Sequence, residues 1–436
     1  MSTEPNILLI VTDQQHVNTI SARGNRHVST PGLDGLVERG TTFQQNYCTY
    51  PLCSPARSSI FTGRMPSETG VFENGNNIRA TIPNLGQWLG KHTDREVVYS
   101  GKWHVRQPHT ACIPGFDVIA SGINCKGQEG DKSVTQSCEA YIRNYTDEKP
   151  FFLAAMYTQP HDIGLWTSYN FRNRAGFPYP ELLEDLPPLP DNFETTHEEP
   201  ARYRERRAGS GPAQKDEADA YWRYYVWGYY RHVEMVEAEI GRLIQAVEDA
   251  GRLEDTLIIF TSDHGEGMAE HQFRTKNFLY DEVAKVPLVV SWKGVIPEGR
   301  EETAELVSGL DLFPTVCDYW GVPVPDRVRG VSLRALLEEG RSLDRDYVAV
   351  ECHGGSGQAI RSSDYKYIAF NDDPVEMLFN VKEDPGETVN LARSAEHAEV
   401  LQRHRTYLGE WLEGLDVAPS VPREYRWRAS APAASR

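Results

Sequence analysis

A chain of 436 residues exceeds a typical single domain, so one large domain with a smaller companion is expected. Its 39% hydrophobic and 25% charged residues are those of an ordinary soluble globular protein. With 45 Lys and Arg against 63 Asp and Glu the formal net charge is -18, which speaks against a general nucleic-acid-binding surface.

The opening string MSTEPNILLIVTD has no basic leader, and its apolar run from Ile7 to Val11 is too short for a signal peptide or a membrane span. A cytoplasmic protein is expected. Seven cysteines, odd in number and scattered, fit a reduced compartment better than a disulfide framework. Asn6 to Thr12 reads as a buried parallel strand, delivering Asp13, Gln14 and Gln15 at its carboxyl end. Ser29 to Gly40 reads as a helix with Pro31 in its first turn and Gly40 as its stop. Pro55 and Gly63 bracket the next one, which places Cys53 at a helix N-terminus. There, unpaired N–H groups and the helix dipole stabilise an anion, and Arg57, four residues on, shares a face with Cys53.

Asn84 to His92 is an amphipathic helix, and Glu96 to Ser100 a short strand running into Gly101, Lys102, Trp103 and His104. Phe151 to Tyr157 is an apolar strand ending in Gln159, Pro160, His161 and Asp162. Thr256 to Thr261 is another, ending in Ser262, Asp263, His264, Gly265 and Glu266. A single histidine after a strand says little. Four strands that each present titratable or amide side chains at one end mark that edge of a doubly wound sheet as a polar site.

The stretch at about 165–220, rich in Pro, Tyr, Trp and Arg, reads as a lid-like insertion or a solvated loop. Trp222 to Ala250 follows as a long helix whose stripe of Tyr225, Val226, Tyr229, Val233, Val236, Ile240, Leu243 and Val247 predicts core. After Lys276 come an apolar strand from Val286 to Trp292 and a helix from Leu306 to Trp320. Short strands begin near Asp344, at 347–351, 358–361, 365–370 and 376–380, and a helix from about His397 to Leu415 closes the pattern. The expectation is an α/β protein with a large, mostly parallel central sheet flanked by helices over 1–343. A smaller antiparallel sheet with a packed helix occupies 344–418, and an extended or disordered tail 419–436.

The string CSPARSSIFTGRMP resembles the signature of the type I sulfatases, in which a formylglycine-generating enzyme oxidises the Cys of C-x-P-x-R to Cα-formylglycine. TDQ, CSPAR, GKWH, QPH, SDHG, a Lys before the VPL strand and LFNVKEDPGETVNLA stand in that family's order over nearly the whole chain. The resemblance implies the alkaline-phosphatase-like fold and one divalent cation held by Asp13, Gln14, Asp263, His264 and an oxygen of modified Cys53. It implies Arg57, Lys102, His104, His161 and Lys276 around the sulfate. Hydrated formylglycine is a gem-diol; one hydroxyl attacks sulfur, His161 or Lys276 protonates the leaving alcohol, and deprotonation of the other hydroxyl, assigned to His104, releases sulfate.

Two positions depart from many relatives: Gln14 stands where a second acidic residue is usual, and His264 where an Asn is usual. Calcium prefers oxygen shells and an imidazole suits manganese, so the ion is either Ca²⁺ or Mn²⁺. The implied substrate is a sulfate ester of a carbohydrate or another small organic sulfate, an anion that needs a local basic pocket in an acidic protein. A formylglycine phosphonate monoester or phosphodiester hydrolase is the competing enzyme, against which GKWH and QPH speak. A catalytically silent binding protein is the competing class, against which the complete polar set speaks. No nucleic-acid or membrane partner is expected, and homo-oligomerisation stays open.

Overall fold

The computed structural model describes residues 4–105, 112–121, 126–171, 179–210 and 218–423. In chain order its strands are β1 (Asn6–Asp13), β2 (Thr41–Phe43), β3 (Asn46–Tyr47), β4 (Val97–Gly101), β5 (Asp117–Ser121), β6 (Phe152–Pro160) and β7 (Thr256–Ser262). They continue with β8 (Leu288–Ser291), β9 (Arg300–Glu302), β10 (Val307–Ser308), β11 (Tyr347–Cys352), β12 (Gly357–Ser362), β13 (Tyr365–Phe370) and β14 (Asp373–Asn380). Eight of them form one sheet in the order β5, β4, β6, β1, β7, β8, β2, β9. The run from β5 to β7 is parallel, and β8 is antiparallel to both its neighbours.

The reason β1 sits centrally is written in its residues. All eight positions are buried, with Ile7, Leu9 and Val11 packing into one core alongside Phe61, Tyr99 and Phe152. Leu8 and Ile10 face the opposite core, where the helix Ala218–Asp249 brings Val236, Ile240 and Leu243. Each such aliphatic side chain contributes about 1.5–3 kcal/mol on burial, so a strand loaded on both faces needs helices on both sides. β4, β6, β1 and β7 are neighbours and parallel, so the four polar ends read from the sequence lie along one edge.

The C-terminal strands β11 to β14 form a separate antiparallel sheet. The helix Ala398–Glu413 lays Leu401 and Leu408 on its Ile360, Tyr367 and Leu378. The helix Leu85–His92 begins at a capping box, in which Asn84 Oδ1 accepts from the Gln87 N–H at 2.9 Å and Gln87 Oε1 from the Asn84 N–H at 3.1 Å.

Two expectations need correcting. The segment from Leu306 to Trp320 is not one helix: Val307 pairs with Asn46, Ser308 and Asp311 cap a 3₁₀ turn, and the helix begins only at Leu312. The tail does not leave the surface at residue 419, because Ala418 and Val421 bury themselves against Phe72; its remainder, 424–436, lies outside the described residues. The insertion forms helices at Ile163–Phe171 and Ala201–Ala208, the latter tied to the C-terminal sheet through Asp373 Oδ2, which accepts from the Ala201 N–H at 2.7 Å. Residues 172–178 and 211–217 of that insertion lie outside the described residues. Among the described residues no helix is long and apolar enough to cross a membrane.

Candidate active site

β1 carries Asp13 as its last residue, and Gln14 follows in the left-handed region at φ 72. β7 ends at Ser262, with Asp263 and His264 immediately beyond. Cys53 is the first residue of the helix Cys53–Ile60, preceded by an extended Leu52 at φ -156. The chain turns there because Asn74 Oδ1 accepts the Ser54 N–H at 3.0 Å, satisfying one of the donors that a helix start leaves open.

These elements bring Asp13, Cys53, Asp263 and His264 together: one donor atom from each lies within 4.8 Å of all the others, and all four residues are buried. Arg57 lies beneath them with no exposed surface. Its Nε donates to Asp263 Oδ2 at 2.8 Å, its Nη2 to Asp13 Oδ2 at 3.1 Å and its Nη1 to the Lys102 carbonyl at 2.6 Å. Lys102 Nζ adds a second cation on Asp13 Oδ2 at 2.8 Å. The Oδ2 atoms are thus held from below, and the Oδ1 atoms face the cluster. Asp13 Oδ1 lies 3.5 Å from Cys53 Sγ, and Asp263 Oδ1 lies 3.5 Å from His264 Nε2.

Lys276 closes the cluster from above. Its Nζ donates to Cys53 Sγ at 2.9 Å and to Gln14 Oε1 at 2.6 Å, and lies 3.8 Å from Asp13 Oδ1. The electrostatics follow from this geometry. Burial opposes ionisation of Asp13, but Lys102, His161, Lys276 and Arg57 outweigh it and hold the carboxyl well below its ordinary range. Burial and the Asp13 charge together push Asp263 up. Burial and Asp13 also oppose a Cys53 anion, yet Lys276, Lys102 and His264 bring its pKa well below that of a free thiol. Position 53 is therefore a place where a negatively charged atom is stabilised.

The donor set fits a divalent ion. Two buried carboxylates repel each other across the cluster, and a cation on their Oδ1 faces relieves that repulsion. The Gly265 carbonyl accepts from His264 Nδ1 at 2.9 Å, which leaves Nε2, 3.3 Å from Cys53 Sγ, as the ring nitrogen that a metal would take in place of its proton. Gln14 contributes its amide oxygen at the rim through the shared Lys276 contact.

The two remaining histidines approach differently. His104 follows β4 at φ 60, buried, with its carbonyl accepting from Ser54 Oγ, so its main chain is pinned to the nucleophile helix. His161 follows β6, partly exposed, and is near enough to Asp13 for an imidazolium there to favour the Asp13 anion.

Glu266, placed by the sequence at the end of β7 but given no role there, supports the cluster. It is fully buried and accepts from Gln14 Nε2, the Tyr225 hydroxyl and the Thr275 N–H. Tyr229 likewise donates to the Gln14 carbonyl and accepts from the His16 N–H at 2.8 Å. The helix stripe predicted both tyrosines as core, which they are; it carried no sign that their hydroxyls reach the cluster's support.

The sulfatase family model matches residues 5–322, and the model for the N-sulphoglucosamine sulphohydrolase C-terminal region matches residues 269–413. The chain is 28% identical over 443 residues to a Delta 4,5-hexuronate-2-O-sulfatase of Bacteroides thetaiotaomicron, covering 94% of this chain and 89% of that one. It is 28% identical over 479 residues to an arylsulfatase of Clostridium perfringens, covering 95% of each. The solved structure of a 2-O GAG sulfatase superposes with a TM-score of 0.81 at 26% identity, covering 94% of this chain and 92% of the other. The phosphonate monoester hydrolase of Agrobacterium radiobacter, with a TM-score of 0.76 at 23% identity over 94% of this chain and 96% of its own, shares the fold. Because the family model spans the strand ends and the helix that deliver every member of the buried cluster, this chain belongs to the sulfatase family, whose members are sulfuric ester hydrolases.

Proposed function

We propose that this enzyme hydrolyses a sulfate ester of a carbohydrate, using formylglycine at position 53 and one divalent ion. The observation that carries the reading is the setting of Cys53: the first residue of a helix, fully buried, 2.9 Å from an ammonium and within reach of two carboxylates and an imidazole. Hydrated formylglycine supplies two hydroxyls on one carbon, one to attack sulfur and one to let sulfate go, and a divalent ion supplies Lewis acidity. Asp13, Asp263, His264, Gln14 and the oxygen at position 53 would hold that ion. An oxygen shell with one imidazole nitrogen admits Ca²⁺ and Mn²⁺, which metal add-back distinguishes.

The chain's own residues then divide the work. Lys276, beside position 53, neutralises the sulfuryl oxygens and shares with His161 the role of proton donor to the leaving alcohol. His104 takes the proton whose removal frees sulfate. Arg57 acts through the carboxylates, since its three hydrogen bonds fix Asp13, Asp263 and the Lys102 main chain in place. Carbohydrate as the substrate class is supported by the relatives that act on sulfated sugars, among them an N-acetylglucosamine-6-O-sulfatase of Bacteroides thetaiotaomicron at 26% identity over 90% of this chain.

Mass spectrometry of the peptide spanning Cys53, with parallel kinetics on an aryl sulfate, an aryl phosphonate monoester and sulfated monosaccharides, tests the reading. Formylglycine and sulfate release from sugar are expected. Full activity from unmodified thiol, or a preference for the phosphonate, would overturn it.

A further inference from the structure

The insertion helix Ala201–Ala208 carries arginines whose partners differ in kind. Arg202 grips both oxygens of Asp372 at 2.5 and 2.6 Å, and Arg207 pairs with both oxygens of Glu199 at 2.5 and 2.6 Å. Arg206, between them on the helix, has no carboxylate partner among the described residues. Its Nη2 donates to the Lys276 carbonyl and to Thr275 Oγ1, the latter at 2.7 Å, and lies 3.4 Å from the Arg274 carbonyl. Its Nε is buried and donates to no described residue, while the guanidinium lies 5.2 Å from the centre of the buried Phe278 ring. Burial lowers its pKa from the ordinary value, but an arginine stays charged throughout. A cation withdrawn from water without a counterion is unfavourable, and every oxygen that receives it belongs to one short segment, 274–276.

That segment carries Lys276, and its backbone is not one the residues would choose. Thr275 at φ 66 and Asn277 at φ 73 stand on either side of Lys276 in the left-handed region, which a β-branched residue such as threonine strongly disfavours. Contacts from elsewhere must therefore hold the turn. The Thr275 N–H donates to Glu266, and the Thr275 carbonyl accepts from the Gly267 N–H at 2.9 Å. The next peptide plane, between Lys276 and Asn277, is held at both edges: its N–H donates to the Pro51 carbonyl at 2.9 Å, two residues ahead of Cys53, and its carbonyl accepts from Arg206. The helix that supplies Arg206 is itself anchored to this stretch, since the buried Tyr203 hydroxyl accepts from the Leu279 N–H at 2.7 Å.

We infer that Arg206 is a positioning residue for Lys276: it fixes the carbonyl edge of the 276–277 peptide plane, and so the direction from which the ammonium reaches position 53, 2.9 Å from Cys53 Sγ. The inference rests on the sulfatase reading and on the role which that reading gives Lys276, and it makes the insertion helix part of the catalytic apparatus. Without the guanidinium the Lys276 carbonyl and the Thr275 hydroxyl lose their common donor, and the left-handed turn relaxes toward ordinary backbone. The ammonium is then present but misplaced. Since Lys276 serves the sulfuryl oxygens and the departing alcohol, the loss belongs to the first step and grows with the basicity of that alcohol.

The test is a double-mutant cycle between Arg206 and Lys276, read as kcat/KM per formylglycine on aryl sulfates of graded phenol acidity and on a sulfated monosaccharide. Arg206→Ala is expected to lower kcat/KM about tenfold for the most acidic phenol and about a hundredfold for the sugar. Added to Lys276→Ala it should cost less than about threefold more, because an ammonium already removed cannot be misplaced. Thr275→Val removes one acceptor of the same guanidinium at an exposed, nearly isosteric position, and should move the same quantities in the same direction by several-fold. It carries the test alone where Arg206→Ala does not fold. A loss equal for all leaving groups, a loss that multiplies in full with that of Lys276→Ala, or no loss in either variant overturns the inference and leaves the sulfatase reading standing. Native enzyme that is fully active without formylglycine, or that turns over an aryl phosphonate monoester and none of the sulfates, overturns both.

Discussion

Replacing Glu266 by Gln tests whether the cluster is positioned from beneath by a single buried carboxylate. Gln14 has its amide oriented by two partners of opposite demand: Glu266 Oε2 accepts from its Nε2, and Lys276 Nζ donates to its Oε1 at 2.6 Å. The other Glu266 oxygen accepts from the Tyr225 hydroxyl and the Thr275 N–H. In Glu266→Gln the new NH₂ must face either that pair of donors or the Gln14 NH₂. The second choice is relieved only if the Gln14 amide rotates, which turns its NH₂ toward the Lys276 ammonium and its oxygen away from the cluster. Hydrogen bonds to a charged group contribute about 1.5–3 kcal/mol, so losing one such orientation weakens divalent-ion affinity by about ten- to a hundredfold. Calorimetric titration of metal into the apoprotein measures this, with kcat/KM on an aryl sulfate alongside. The informative control is the double variant Gln14→Glu with Glu266→Gln, which exchanges donor and acceptor across the pair and should recover metal affinity. Unchanged affinity in Glu266→Gln, or a double variant no better than the single one, would refute the reasoning.

Asp13→Asn and Asp263→Asn should each lose bound metal and turnover together, read by elemental analysis and sulfate release, because each removes an anion from the same cluster; unchanged metal content in both contradicts the assigned shell. His104→Ala should give a burst of alcohol followed by slow sulfate release, whereas Lys276→Ala should slow the first step without a burst, and more so as the leaving alcohol becomes more basic; identical slowing in both variants would mean the two roles are misassigned. Glu351, fully buried and accepting from the Ser67 N–H and hydroxyl at 3.1 and 2.7 Å, is pushed by burial from an ordinary 4.5 up to about 7. A carboxyl raised on folding takes up a proton relative to the unfolded chain, so this group removes stability as pH climbs from about 4.5 to 7, by up to about 3 kcal/mol. Glu351→Gln should therefore raise the thermal midpoint at pH 8 but not at pH 4, and an equal shift at both would show that ionisation is not the cause.

The elements legible in the sequence were those whose local pattern and tertiary role coincide. β1, β6 and β7 are buried along their whole length, and their apolar runs say so directly. Other elements carried no such signal, and two of them show why. The helix Gly127–Asn144 opens on Gly127 and Gly130 and has a polar sequence, and only Val134, Cys138, Tyr141 and Ile142 turn it toward the sheet. β5 is an edge strand whose residues alternate between exposed and half-buried, so nothing in Asp117–Ser121 distinguishes it from a loop.

The site divides along the same line. Strand ends and the C-x-P-x-R string carried Asp13, Cys53, Lys102, His161 and Asp263 in local sequence, but the contacts that orient them join positions far apart. Gln14 and Glu266 are separated by 252 residues, and Gln14 and Tyr229 by 215. Arg57 shows what that distance conceals. Helical spacing placed it on the face of Cys53, whereas its guanidinium turns down onto Asp13 and Asp263. The consequence is chemical: with Arg57 and Lys102 occupying the Oδ2 side, the anionic Oδ1 atoms and the His264 nitrogen can converge on one ion, and Lys276 is left as the cation facing position 53. A buried pair of carboxylates is held apart from its own repulsion by cations on one side so that the other side remains available for catalysis.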